Sequence, residues 1–119
     1  MTNGFLTTHI LDTAHGIPAQ DVMITLYRIE NNERILIRSA VTNDDGRTDS
    51  PLLPKGEMHV GQYELVFAIG KYFKDKGVSL AEPLFLDEVP LRFGINDPES
   101  HYHVPLLASP FSYSTYRGS

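Results

Sequence analysis

Cysteine is absent from this sequence, and with it go disulfide staples, thiolate metal sites and a cysteine nucleophile, which leaves the redox compartment open. Basic residues are in the minority: ten Lys and Arg stand against fifteen Asp and Glu, a formal net charge of -5. A phosphate backbone demands clustered cations, so no nucleic-acid surface is expected. Long apolar runs are missing too. Nothing approaches the length of a membrane span, and the opening "MTNGFLTTHILD" has neither the basic n-region nor the apolar h-region of a secretory leader. The expectation is a cytoplasmic protein without membrane association. G-x-S-x-G, H-E-x-x-H and P-loop signatures are also lacking, which argues against a conventional serine hydrolase, a zincin or a nucleotide hydrolase.

What is present suits a small β protein. With 41% hydrophobic residues in 119, the chain can fill one core and not two, so a single domain over 1–119 is expected, and any large site has to be shared between copies. "FLTTHILD" reads as a strand with Leu6, Thr8 and Ile10 on one face and Thr7, His9 and Leu11 on the other. "DVMITLYRIE" and "RILIRSAVT" alternate at period two around the turn "NNE" and predict a hairpin. "NDDGRTDS" is a second turn, in which Gly46 supplies a conformation other residues resist and leaves Arg47 just past the bend. "GQYELVFAI" is another strand, and "GKYFKDKG" is the one plausible helix, with Tyr72 and Phe73 toward the core and Lys71 and Lys74 in water. In "LFLDEVPLRFGI" Pro90 predicts an edge or a bulge. "HYHVPLLAS" and "FSYSTYRGS" close the chain as a hairpin joined at Ser109-Pro110. The sum is an all-β antiparallel sandwich of about eight strands with one short helix.

Three of the five histidines, His9, His101 and His103, fall on strands or at their lips, and His101 and His103 share a face. An H-x-H pair on a strand is a metal-ligand spacing, yet no third ligand stands at a telling distance. A strand histidine such as His9 equally serves as a hydrogen-bonded core or interface residue. Arg47 is either an anion-holding group or a surface partner of Asp44, Asp45 or Asp49. The Ser, Thr and Tyr of the last strand are good β-formers and need no further reason.

Four patterns taken in order, "LTTHILD", "GRTD", "HYHVPLL" and the closing "YRGS", together resemble the 5-hydroxyisourate hydrolase family, the enzymatic relatives of transthyretin. The resemblance covers essentially the whole chain, and "YELVFAIGKYFKDKG" resembles the strand-to-helix passage of transthyretin. The terminal tetrapeptide is the most specific mark, since it separates the hydrolases from the hormone carriers. The resemblance implies a transthyretin-like sandwich that opens a ring amide of 5-hydroxyisourate, the unstable product of urate oxidation, to give 2-oxo-4-hydroxy-4-carboxy-5-ureidoimidazoline. It implies no cofactor and no metal, and a homotetramer of two sandwich dimers with its sites in the channel between them. Carried over residue by residue, His9, Arg47, His103 and Ser119 are the catalytic set, and Tyr116, Arg117 and Gly118 bind substrate; a last strand that lines the site explains a chain ending on Ser119. Ile10 stands where valine is common, a change small in volume. His103 takes the role of base and His9 that of orienting or relaying partner, with the reverse assignment open. Two other classes share these features: a carrier of a small hydrophobic ligand on the same fold, and a zinc-binding assembly module built on His9, His101 and His103.

Overall fold

The computed structural model describes residues 3–118. Its strands are β1 (Phe5–Asp12), β2 (Ile17–Pro18), β3 (Met23–Glu30), β4 (Glu33–Val41), β5 (Gly61–Ala68), β6 (Glu88–Ile95), β7 (His101–Ala108) and β8 (Tyr113–Thr115), with one helix, α1 (Ile69–Asp75), between β5 and β6. They form two four-stranded sheets, ordered β2-β1-β7-β8 and β4-β3-β5-β6. The all-β sandwich expected from the sequence is present. It departs from an all-antiparallel layout in one ladder, because β1 and β7 run parallel over their whole length, Phe5 opposite His101 and Asp12 opposite Ala108. Such a pair needs a long crossover rather than a tight turn, and five intervening strands and the helix supply it.

Alternation decides which side chains meet. Leu6, Thr8, Ile10 and Asp12 of β1, Ile24 and Leu26 of β3, Tyr63, Leu65 and Phe67 of β5, and Tyr102, Val104 and Leu106 of β7 are buried between the sheets. Each fully buried apolar side chain among them contributes about 1.5–3 kcal/mol relative to exposure. The inward polar groups are satisfied: Thr8 Oγ1 donates to the Val104 carbonyl at 2.7 Å and Tyr72 Oη donates to Asp12 at 2.7 Å, which ties α1 to the end of β1. The helix presents Tyr72 and Phe73 to the core as its sequence suggests, and it ends at Gly77, φ +83°, where Val78 N–H reaches back to the Phe73 carbonyl.

Turn chemistry fixes the rest. Asn31 and Asn32 both take positive φ in the two-residue turn between β3 and β4, the geometry that matches strand twist. A bulge between Leu26 and Tyr27 leaves Ile37 as the extra residue of β4. The period-two pattern of Ile35, Ile37 and Val41 is thereby broken: Ile35 and Val41 stand exposed on this edge strand and only Ile37 packs against the core. β6 is the opposite edge and accommodates Pro90 there.

Candidate active site

The odd-numbered residues of β1 face out of the sheet. Parallel pairing places Phe5 beside His101, Thr7 beside His103 and His9 beside Pro105, so Thr7, His9, His101 and His103 lie on one outer face. All four are half-buried. Phe5 stacks on the His101 ring, centroids 4.0 Å apart and planes 14° apart, and fixes its orientation. Between the two histidines Thr7 Oγ1 lies 2.7 Å from His101 Nε2 and 2.8 Å from His103 Nδ1.

Arg47 arrives from a different part of the chain. Beyond its two-residue pairing with β2, the free edge of β1 is covered by the segment that follows β4: Ile10 N–H bonds to the Gly46 carbonyl at 2.8 Å, His9 and Arg47 form an isolated antiparallel bridge, and Leu6 bridges Leu53. Gly46 is required here on two counts. Its φ is +74°, and a β-carbon would fall 2.5 Å from the Ile10 carbonyl oxygen. The bend is held by Asn43, whose Oδ1 accepts the N–H groups of Asp45 and Arg47. The alternative of Arg47 as a simple surface partner of the neighbouring aspartates finds no support, for among the described residues Arg47 makes no ion pair, while Asp49 bonds Asn43 instead.

The chain end closes the other side. β8 pairs with β7 from Ala108–Tyr113 to Leu106–Thr115, skips Pro105, which has no N–H to give, and resumes in the same register with Gly118 opposite His103. Gly118 N–H bonds the His103 carbonyl at 2.7 Å, and a β-carbon on Gly118 would lie 2.6 Å from His103 Cδ2. Tyr116 and Arg117 go elsewhere. Arg117 lays its guanidinium 4.1 Å over the Tyr102 ring, and both residues line a groove between β6 and β8 with Phe93 and Val104. Ser119 lies outside the described residues.

Thr7, Thr8, Arg47, Thr48, His101 and His103 surround a recess of about 310 Å³; His9 adjoins it through its bridge to Arg47. Burial and the Arg47 cation hold the His9 imidazole below its ordinary pKa of 6.5, against an opposing pull from Asp45. Burial, Arg47, His101 and His9 lower His103 in the same way. Both rings are therefore neutral at pH 7, with lone pairs available to accept protons. No group of three His, Asp or Glu side chains able to hold a metal forms among the described residues, so His9, His101 and His103 do not converge as zinc ligands. Thr7, Thr8 and Thr48 were not singled out by sequence reasoning. Period two does put Thr7 on the His9 face, but only the β1–β7 pairing reveals that it sits between two histidines.

Residues 6–118 match the model of the HIUase/Transthyretin family. The chain belongs to that family. Among its relatives, 5-hydroxyisourate hydrolase 2 of Rhizobium meliloti (strain 1021) is 59% identical over 117 residues, 98% of either chain. The crystal structure of (S)-allantoin synthase superposes with a TM-score of 0.93 at 51% identity; it covers all of this chain, which spans 46% of the synthase's length. Klebsiella pneumoniae 5-hydroxyisourate hydrolase gives 0.79 at 33% identity, covering 98% and 99% of the two chains. Sea bream transthyretin in complex with thyroxine gives 0.83 at 28% identity, covering 95% and 93%. Backbone likeness thus ranks a thyroxine-bound transthyretin beside a hydrolase, and the side chains of the recess must discriminate between them.

Proposed function

We propose that this chain, as one domain over 1–119, hydrolyses 5-hydroxyisourate to 2-oxo-4-hydroxy-4-carboxy-5-ureidoimidazoline. The observation that carries the reading is the pair of isolated bridges, His9 to Arg47 and His103 to Gly118, which join distant parts of the sequence around one polar recess lined by Arg47 and His103. A carrier of a hydrophobic ligand wants an apolar lining; this one is threonine, histidine and arginine. The similarity to relatives named 5-hydroxyisourate hydrolase over nearly their full length supports the same choice.

In this mechanism His103 removes a proton from water as the oxygen attacks the ring carbonyl, a task that suits a neutral imidazole. His9 orients the water or relays the proton. Negative charge grows on the carbonyl oxygen and is met by Arg47, a permanent cation with a planar fork of donors; as that oxyanion collapses the ring C–N bond breaks, and His103 returns its proton to the leaving nitrogen. Gly118 lies against the His103 ring, Ser119 orients the substrate, and Tyr116 and Arg117, which line the groove on the other side, anchor the segment before Gly118 through the stacking of Arg117 on Tyr102. No cofactor or metal enters the reaction. The recess lies on an outer sheet face, and a second copy over that face would enclose it, consistent with a homotetramer of two dimers. No helix among the described residues is long and apolar enough to cross a membrane, in keeping with action in the cytoplasm. The test is the spectrophotometric decay of 5-hydroxyisourate beside the uncatalysed reaction, with light scattering on the same sample. A decay rate no faster than the uncatalysed one in a folded sample would refute the activity, and an active monomer would refute the tetramer.

A further inference from the structure

Thr7 Oγ1 carries one hydrogen and touches two imidazole nitrogens, His101 Nε2 at 2.7 Å and His103 Nδ1 at 2.8 Å. Proton counting allows two arrangements when both rings are neutral and the Thr7 hydrogen is used between them, since a third, in which both rings donate to Thr7, leaves the hydroxyl hydrogen without an acceptor among the hydrogen bonds of the described residues. In one, His103 Nδ1–H donates to Thr7 and the Thr7 hydroxyl donates to His101 Nε2, which leaves a bare lone pair on His103 Nε2. In the other every donor is reversed, His103 Nε2 carries the hydrogen, and no base remains. Arg47 lines the same recess, and its positive charge favours a lone pair over an N–H on the ring nitrogen not engaged by Thr7. The first arrangement is the one compatible with the cation.

We propose that Thr7 and His101 are positioning residues whose hydrogen-bond chain fixes His103 as its Nδ1–H tautomer and so presents Nε2 as the base. This rests on the reading of His103 as the base. In the step itself a water O–H bond breaks, an N–H bond forms at His103 Nε2, and the water oxygen bonds to the substrate carbonyl carbon while the C=O π pair moves onto the carbonyl oxygen. The new charge on His103 strengthens the Nδ1–H bond to Thr7 Oγ1, which is polarised because its own hydrogen is given to His101. No proton leaves the chain during attack. The base of a catalytic triad is held by a carboxylate on its second nitrogen; here a hydroxyl backed by an imidazole takes that place. Phe5, stacked on His101, keeps the acceptor in plane.

The experiment combines kcat and KM on 5-hydroxyisourate with nitrogen-15 NMR of histidine tautomers in the intact assembly. His103 should rest with its hydrogen on Nδ1. Thr7→Val keeps shape and removes the hydroxyl; it should lower kcat about ten- to a hundredfold, with KM within about threefold, and shift His103 toward the Nε2–H form, a smaller loss than the ~10⁴-fold seen when a triad carboxylate is lost. Thr7→Ser should recover both the tautomer and kcat to within about threefold. His101→Phe, which retains the stack on Phe5, should cost kcat about three- to tenfold. An Nε2–H tautomer in the unaltered protein, full kcat in Thr7→Val, or a serine variant as impaired as the valine one would overturn the proposal; full kcat in His101→Phe would remove His101 from it. Should Thr7→Val fail to fold, the wild-type tautomer and His101→Phe decide alone. Full turnover in His103→Asn would bring down the base assignment itself, whereas loss there with an unimpaired Thr7→Val defeats only the chain.

Discussion

The two sheets each turn an outer face to the surroundings, and both faces carry charged or titratable side chains to opposite effect. On the β4-β3-β5-β6 sheet, Glu64 is 5% exposed between two cations, with Arg34 Nε at 2.6 Å and Arg92 Nε at 3.2 Å. Arg34 also lies over the Tyr27 ring. Both cations there are held on one shared carboxylate, so each guanidinium is already engaged. Beside the β2-β1-β7-β8 sheet, Arg47 faces two imidazoles whose pKa values are depressed by burial and then by its charge, and among the described residues no carboxylate pairs with it. Compensated charge holds a face in place, whereas burial beside an uncompensated charge keeps rings neutral and leaves a cation free for an anionic transition state.

The largest break in that contrast should come from the uncompensated face. His103→Asn is expected to lower turnover by about two to four orders of magnitude, the usual scale for loss of a general base, with an unchanged oligomer by light scattering. Arg47→Lys should lose about ten- to a hundredfold, because a point charge does not reproduce a forked donor. The matching change on the other face, Arg34→Lys, should leave turnover where it was. Equal losses at Arg47 and Arg34 would abolish the distinction between the faces.

Next in size is the chain end. Gly118→Ala places a methyl group 2.6 Å from His103 Cδ2, so either the ring or the strand must shift, and a mispositioning of that order can cost about tenfold or more in kcat. An alanine variant as active as the parent would show that the His103 ring has slack the mechanism does not expect.

Much of this geometry was legible in the residues themselves. Period two put Thr7 with His9 and His101 with His103, Gly46 marked the bend before Arg47, Asn31-Asn32 marked a hairpin, and Pro90 marked an edge. The parallel β1–β7 ladder was not, because pairing between segments nearly a hundred residues apart depends on how the whole core packs rather than on local pattern. Thr7 was hidden for the same reason: without its partner strand it is one more β-former. The bulge at Ile37 also escaped, since an extra residue in one strand has no signature until its neighbour is known. Tyr116 and Arg117 turning to the far groove was equally unreadable, as the gap opposite Pro105 is a property of the pair of strands.

The pH response sharpens the comparison further. Because both imidazoles titrate below 6.5 in the folded protein, kcat/KM should be flat above that value and fall only as the pH drops through the lowered pKa values. Stability should follow the same sign. Below 6.5 the unfolded chain takes up protons that the folded site refuses, so the contribution of these two rings is fully present above pH 6.5 and is lost toward lower pH. An acid limb of the rate profile centred above 6.5 would contradict the depression, and Arg47→Gln should move the limb upward by removing the cation.

The smallest effect belongs to the compensated face. Glu64→Gln keeps the shape of the side chain and leaves Arg34 and Arg92 without their shared anion. Removing one partner of a fully buried pair costs about 3–5 kcal/mol, but the two arginine side chains are 46% and 39% exposed and water can solvate them once the carboxylate is gone. The expected loss is therefore nearer the surface scale, about 1 kcal/mol in a denaturant midpoint at low salt, shrinking as salt screens the cluster. Turnover per folded molecule should not change, since none of these three side chains lines the histidine recess. A Glu64→Gln protein with normal stability and impaired kcat would mean that charge on one face of the sandwich reaches the chemistry on the other, and the separation drawn between them would have to be abandoned.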